Sequence, residues 1–241
     1  DDYPTRLLQT LMSLAPKKCD SSIPTVVLLT PGHLNSAYYE HTFLSDQMGI
    51  EMVEASDLYV ENDLVYMKTV DGPKKVDVIY RRIDDDYIDP LFYNPNSVIG
   101  VPGIIHAYRT GGVNICSAPG CGIADDKAIY IYVPEMIKFY LGEMPILENV
   151  ETWRCEKDDE LKYVLENIKN LVVKEVDGSG GYGMLIGPKS TKKTIEQFSL
   201  KLKNNPKGYI AQPTLDLSSS PTLIDNEITG RRVDLRPYCL I

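Results

Sequence analysis

The sequence predicts an α/β domain followed by an α+β domain. Short apolar runs bounded by Pro and Gly read as strands buried on both faces, and helix-spaced stretches alternate with them through the first half. The second half instead shows a strand, a glycine loop, a returning strand, a helix and a further strand. With 241 residues, 43 % hydrophobic and 24 % charged, the chain can bury a sizeable core.

Residues 5–14 carry Leu7, Leu8, Leu11, Met12 and Leu14 at helical spacing, stopped by Pro16. Pro24–Thr30 is a continuous apolar run that predicts a buried parallel strand. A helix is expected over Asn35–Met48, with Ala37, His41, Leu44 and Met48 on one face. A strand over Ile50–Glu54, a hairpin around Glu61-Asn62-Asp63 and strands over Val76–Tyr80 and Gly112–Ala118 come next. Ala124–Leu141 reads as a helix broken at Pro134. Gly142, Pro145 and Asn149 then interrupt both periods, so the division is expected to give domains 1–145 and 146–241. Leu161, Val164, Leu165 and Ile168 mark an amphipathic helix, Leu171–Val176 a strand, and Gly183–Ile186 its return. Thr191–Lys203 reads as a helix and Tyr209–Gln212 as a strand. Val233–Ile241 alternates to the last residue, and the first residue is Asp1, so the chain reads as a fragment of something longer.

Acidic residues outnumber basic ones 34 to 25, for a net charge of −9. That balance disfavours nucleic acid and anionic membranes as partners, which need a basic field. No run approaches the roughly 18 apolar residues of a membrane helix, and no leader argues for secretion. The five cysteines, Cys19, Cys116, Cys121, Cys155 and Cys239, are odd in number and form no C-x-x-C pair. A reducing, cytoplasmic location is the economical reading.

Gly178-Ser-Gly-Gly-Tyr-Gly183 matches G-x-G-x-x-G, yet a strand follows it where a dinucleotide site needs a helix. Lys174 precedes the glycines, so a Walker loop fails as well. A β-hairpin flap whose N–H groups can cover phosphates survives, beside a plain turn that uses glycine for positive φ. By alternation Lys174 shares a face with Val172 and Val176, a costly place for an ammonium without an anion. Arg81 and Arg82, at the carboxyl end of a buried strand, suit a bidentate carboxylate or phosphate clamp or a solvated cluster paired with Asp84, Asp85 and Asp86. Asp125 or Asp126 is expected to cap a helix with Lys127 in its first turn, against the dipole, where it faces an anion or is a bland surface lysine. His33 follows the first strand as a site candidate, His41 reads as a core histidine, and His106 has no evident partner.

The series Val173-Lys174, Gly178–Gly183, Tyr209-Ile-Ala-Gln-Pro213 and Val233-Asp-Leu-Arg-Pro237 resembles the ATP-grasp succession of strand lysine, flap, hinge and catalytic strand. With TPGHLNSAYYEH, YRRIDDD and APGCGIADDKAIY, nearly the whole chain is similar to the circularly permuted ATP-grasp proteins labelled glutathionylspermidine-synthase-like. The resemblance implies a parallel-sheet pre-ATP-grasp domain followed by a glycine-flap nucleotide-binding subdomain, incomplete at its C-terminal end. It implies ATP and Mg2+ as cofactors, a carboxylate activated as an acyl phosphate, and attack by an amine.

On this resemblance Lys127 and Lys174 touch the ATP phosphates. Gly178, Ser179, Gly180, Gly181, Tyr182 and Gly183 form the flap, and Gln212 lies at the adenine hinge. Arg236 stabilises the transferring phosphoryl group, Asp234 neighbours the metal, and Arg81 and Arg82 hold the acid substrate. A Glu-Asp-Asn metal-binding stretch that family members carry upstream of the position of Asp1, and a Gly- and Lys-bearing segment downstream of Ile241, are missing. The expectation is therefore weak nucleotide binding and poor catalysis by these residues alone. The function expected is an ATP-dependent carboxylate–amine ligase, with a small-molecule or peptide acid and an amine as partners. A non-catalytic nucleotide- or peptide-binding module and a phosphotransferase on the same fold are the alternatives.

Overall fold

Apolar residues one turn apart bury Leu7 and Leu11 of helix α1 (Tyr3–Ser13), which opens with a proline in its first turn. A computed structural model describes residues 2–178, 181–235 and 237. Strand β1 (Val26–Leu29) is buried at every position. Helix α2 (Tyr38–Met48) begins later than the sequence predicts, because the Asn35 side chain accepts the Ala37 amide at 2.9 Å and makes a turn first. It ends on Gly49 at φ +65. Strand β2 (Glu51–Val53) pairs parallel to β1.

Strands β3 (Leu58–Glu61), β4 (Leu64–Thr69) and β5 (Gly72–Val76) form an antiparallel sheet. Asn62 and Asp63, at φ 50 and 64, make the expected hairpin turn. Strand β6 (Val78–Arg81) pairs with β1 on the side away from β2, and two short helices, α3 (Asp85–Ile88) and α4 (Ile104–Arg109), lead to β7 (Asn114–Cys116). The parallel sheet therefore runs β2-β1-β6-β7, and its order reverses between β1 and β6. Val26, Leu28 and Val78 pack with α1 and α2 on one face, while Val27, Leu29, Ile79 and Ile115 pack on the other with β3–β5 and α4. Covering both faces removes the need for polar alternation.

A second core belongs to a second compact unit, Gly122–Pro237. Its elements are α5 (Val133–Leu141), β8 (Trp153–Arg154), α6 (Asp158–Asn167), β9 (Leu171–Glu175), β10 (Leu185–Ile186), α7 (Lys192–Asn204), β11 (Tyr209–Pro213), β12 (Ser219–Ile224) and β13 (Glu227–Arg232). The antiparallel sheet β10-β9-β11-β8 buries Leu171, Val173, Tyr209 and Ala211 against Val164, Ile168, Phe198 and Leu202 of the helical layer. The single helix expected over Ala124–Leu141 is instead two 3-10 turns, Cys121–Asp125 and Ile129–Tyr132, followed by α5. Between the turns the Lys127 amide leaves the helical ladder and donates to the Val176 carbonyl at 3.0 Å, and Pro134 starts α5 rather than breaking it. Packing thus places residues 122–145 in the second unit, whereas the sequence reading put the division after 145.

The β12–β13 hairpin, turned by Asp225 and Asn226 at φ 50 and 63, is not anticipated by the sequence reading. The Val233 amide adds one bond to Ser218 past its last pair. Residues 236 and 238–241 of the expected terminal strand lie outside the described residues.

Candidate functional site

Alternation along β9 sends Leu171 and Val173 into the helix-covered core and leaves Val172 and Lys174 on the opposite face of the sheet. On that face β11 contributes Ile210, which pairs opposite Lys174, and Gln212, which pairs opposite Val172. The segment 124–130 lies across these residues. Together Lys127, Tyr130, Lys174, Ile210 and Gln212, with residues 124–126, enclose a cleft of about 260 Å³.

Lys174 is half-buried, as expected, but it has a partner that the sequence reading did not supply. Its Nζ donates to Gln212 Oε1 at 2.8 Å. Burial first, and the neighbouring Lys127 charge second, hold the Lys174 pKa below the ordinary lysine value. Lys127 Nζ donates to the Gly178 carbonyl. Its place in the first turn of a helix is not found; Asp126 Oδ1 instead accepts the Ala128 amide at 2.7 Å in a local turn. The described hydrogen bonds of both ammonium groups are thus to neutral oxygens, and the lining of the cleft carries two lysines together with two aspartates, Asp125 and Asp126.

Gln212 is not free to read a ligand with both ends of its amide. Oε1 accepts from Lys174, and Nε2 donates to Thr152 Oγ1 at 2.9 Å. Gly181 and Gly183 take φ +79 and +64, the conformation the loop demands of glycine. Tyr182 is exposed. A Cβ at Gly183 would overlap the Glu175 carboxylate, which also accepts the Tyr209 hydroxyl at 3.3 Å. Ser179, Gly180 and Arg236 lie outside the described residues.

Arg81 and Arg82 belong to the first unit and part company there. Arg81 is consumed locally: Nε donates to the Ser117 carbonyl at 2.6 Å, Nη1 to Ile83 at 2.7 Å and Nη2 to Ala118 at 3.2 Å, with an ion pair to Asp85 at 2.7 Å. It staples the loop after β7 to the end of β6. Arg82 is exposed and touches only the Tyr80 ring and hydroxyl among its described side-chain contacts. His41 is buried and hydrogen-bonded to Thr30 Oγ1 at 2.9 Å, so it is a core histidine. Burial, then the Arg82 charge, lowers its pKa, while Glu40 opposes them. His33 is exposed, and His106 pairs with Asp63 at 3.0 Å.

Asp234 is exposed, and among the described residues no group of three or more His, Cys, Asp or Glu is arranged to hold a metal ion. The described residues do not form a protein metal cage. Four cysteines, Cys19, Cys116, Cys121 and Cys155, are free thiols. No helix among the described residues is long and apolar enough to cross a membrane. Thr152 and Glu175, which touch Gln212 and the loop glycines, escape the sequence reading because no motif marks them.

The family model described as circularly permuted ATP-grasp type 2 matches residues 1–241. An uncharacterized protein of Synechocystis sp. is 52 % identical over 240 residues, covering 100 % of this chain and 50 % of its own length. A protein of Frankia casuarinae with the provisional name glutamate–cysteine ligase 2-2 is 38 % identical over 241 residues, covering 99 % of this chain and 28 % of its own. The chain therefore spans half or less of the length of these relatives. The crystal structure of D-alanyl-alanine synthetase A from Vibrio cholerae aligns with a TM-score of 0.46 at 9 % identity, over 87 % of this chain and 66 % of that one.

Proposed function

This chain belongs to the circularly permuted ATP-grasp type 2 family, and on that premise we propose that it carries the ATP-binding part of a carboxylate–amine ligase. The observation that carries the reading is the pairing of Lys127 and Lys174 in one cleft beside a glycine loop. Two ammonium groups whose described partners are neutral oxygens keep donors for the phosphates of ATP, and Asp125 and Asp126 of the same lining are left to the cation that accompanies those phosphates. Mg2+ would arrive on those phosphates, since it usually keeps several waters and takes few protein ligands.

Each residue then has a physical task. Lys127 and Lys174 hold phosphate oxygens in place, the glycine loop adds backbone N–H donors without side chains to obstruct them, and the apolar floor at Ile210 limits water. Arg82, with its guanidinium exposed, is suited to a carboxylate. The overall reaction we propose is activation of a carboxylate as an acyl phosphate, with ADP as product, followed by amine attack to form an amide and release phosphate. The acid and amine are the partners of the longer protein.

Calorimetric titration of MgATP into the chain and into Lys174→Ala and Lys127→Ala variants tests the reading. Binding that falls at least tenfold in each variant supports it, because each loses a charge-assisted contact. Affinity unchanged in both would reject the cleft as a phosphate site. In the longer protein, ADP release that depends on the amine would separate a ligase from a phosphotransferase.

A further inference from the structure

We propose that Thr152 is a positioning residue for the Lys174 ammonium, acting through Gln212 in a directed hydrogen-bond relay. The proposal rests on reading the cleft as a phosphate site, and it adds a residue that no motif marks. Direction follows from the inventory of donors and acceptors. The Val150 carbonyl can only accept, so the Thr152 hydroxyl, 2.8 Å away, spends its single proton there. Thr152 Oγ1 must then accept from Gln212 at 2.9 Å, and only the Nε2 end of the amide donates. Oε1 is thereby turned toward Lys174 Nζ at 2.8 Å, a group that can only donate. This one assignment satisfies all three bonds.

The sheet explains how the three side chains come together. Trp153 of β8 pairs with Ala211 of β11, so the same register sets Thr152 opposite Gln212. Lys174 lies diagonally across on β9, within reach of a long side chain. The relay thus runs from the residue just before β8 through β11 to β9, on the face away from the helical core. An amide is chemically suited to its middle position. A carboxylate there would neutralise the ammonium, whereas an amide oxygen orients it and leaves its charge for an anion. Without the hydroxyl, Gln212 is held at one end only and Lys174 loses a fixed anchor.

Thr152→Val, Thr152→Ser and Lys174→Ala are to be compared by calorimetric titration with MgATP and with adenosine. The rate of Lys174 acetylation by acetic anhydride, read by peptide mass spectrometry, provides a measure independent of nucleotide. Thr152→Val is expected to weaken MgATP several-fold, on the order of one neutral hydrogen bond, while leaving adenosine unchanged. It is also expected to raise Lys174 acetylation several-fold, and Thr152→Ser should restore both. If Lys174→Ala weakens MgATP but Thr152→Val leaves affinity and acetylation as in wild type, the relay is overturned and the phosphate reading stands. If wild type does not bind MgATP, or Lys174→Ala binds it unchanged, the phosphate reading is overturned, and acetylation alone decides the relay. Equal losses for adenosine and MgATP without rescue by serine would mean general loosening and overturn the proposal. Gln212→Met removes the middle of the relay and should raise Lys174 acetylation in the same way should Thr152→Val fail to fold.

Discussion

Burial pushes the Cys155 thiol up to about 12, and the Glu160 carboxylate adds to the effect. The residue is fully buried among Leu171, Val173 and their helical neighbours, with its amide bonded to the Tyr209 carbonyl. An unfolded thiol ionises near the ordinary value of 9.0, so above that pH the unfolded chain has lost a proton that the folded chain keeps. Stability from this group is full below pH 9 and falls as pH rises toward 12. Denaturant unfolding of the second unit should lose about 1.4 kcal/mol more between pH 8 and pH 10 in wild type than in Cys155→Val. Parallel pH profiles for the two proteins would reject the buried thiol as the cause. Lysine and arginine were legible in the sequence as residue types in suggestive places, but their partners were not. The pairing of Lys174 with Gln212 depends on a register between strands 38 residues apart in sequence, and the enclosure of Arg81 depends on carbonyls of the loop after β7.

At the scale of elements, the glycine loop is shaped by the strand that leads into it. Gly183 stands at φ +64, and a side chain there would overlap the Glu175 carboxyl. Two separable penalties follow. The backbone conformation costs an L-residue about 1–2 kcal/mol, and the overlap forces Glu175 out of its bond with Tyr209. Gly183→Ala should therefore destabilise the second unit by more than about 2 kcal/mol, while the same change in a Glu175→Ala background keeps only the backbone share. A double-mutant cycle on unfolding free energy measures the difference, and strict additivity would show that the carboxylate does not shape the loop.

The elements that sequence reading found were those marked by an unbroken apolar run or an unambiguous period: β1, α7 and β11 were all expected within a few residues of their observed limits. The hairpin at Asn62-Asp63 was legible because apolar strands flank it. The one at Asp225-Asn226 has the same turn chemistry but polar, exposed strands, so no burial pattern announced it. Residues 124–132 misled for the opposite reason. Their spacing suits a helix, yet the Lys127 amide is drawn to Val176, a tertiary preference that local periodicity cannot carry.

The whole molecule divides its core as it divides its chemistry. The apolar clusters around the parallel sheet draw only on the first unit, and the cluster under β9 and β11 only on the second. Each unit thus has its own means of burying apolar surface, which is the physical condition for unfolding as a separate step. The cleft with Lys127, Lys174 and Gln212 lies wholly in the second unit. A ligand raises the stability of the unit whose folded form binds it by RT ln(1 + [L]/Kd), about 2.7 kcal/mol at a hundredfold excess over Kd. Calorimetric unfolding of the chain should therefore show two transitions. Saturating MgATP should raise the one that Cys155→Val makes less sensitive to pH, and leave the other in place. A single transition moved as a whole by MgATP would mean that the two cores unfold as one. Two transitions that both ignore MgATP would remove the nucleotide from the second unit while leaving its architecture intact.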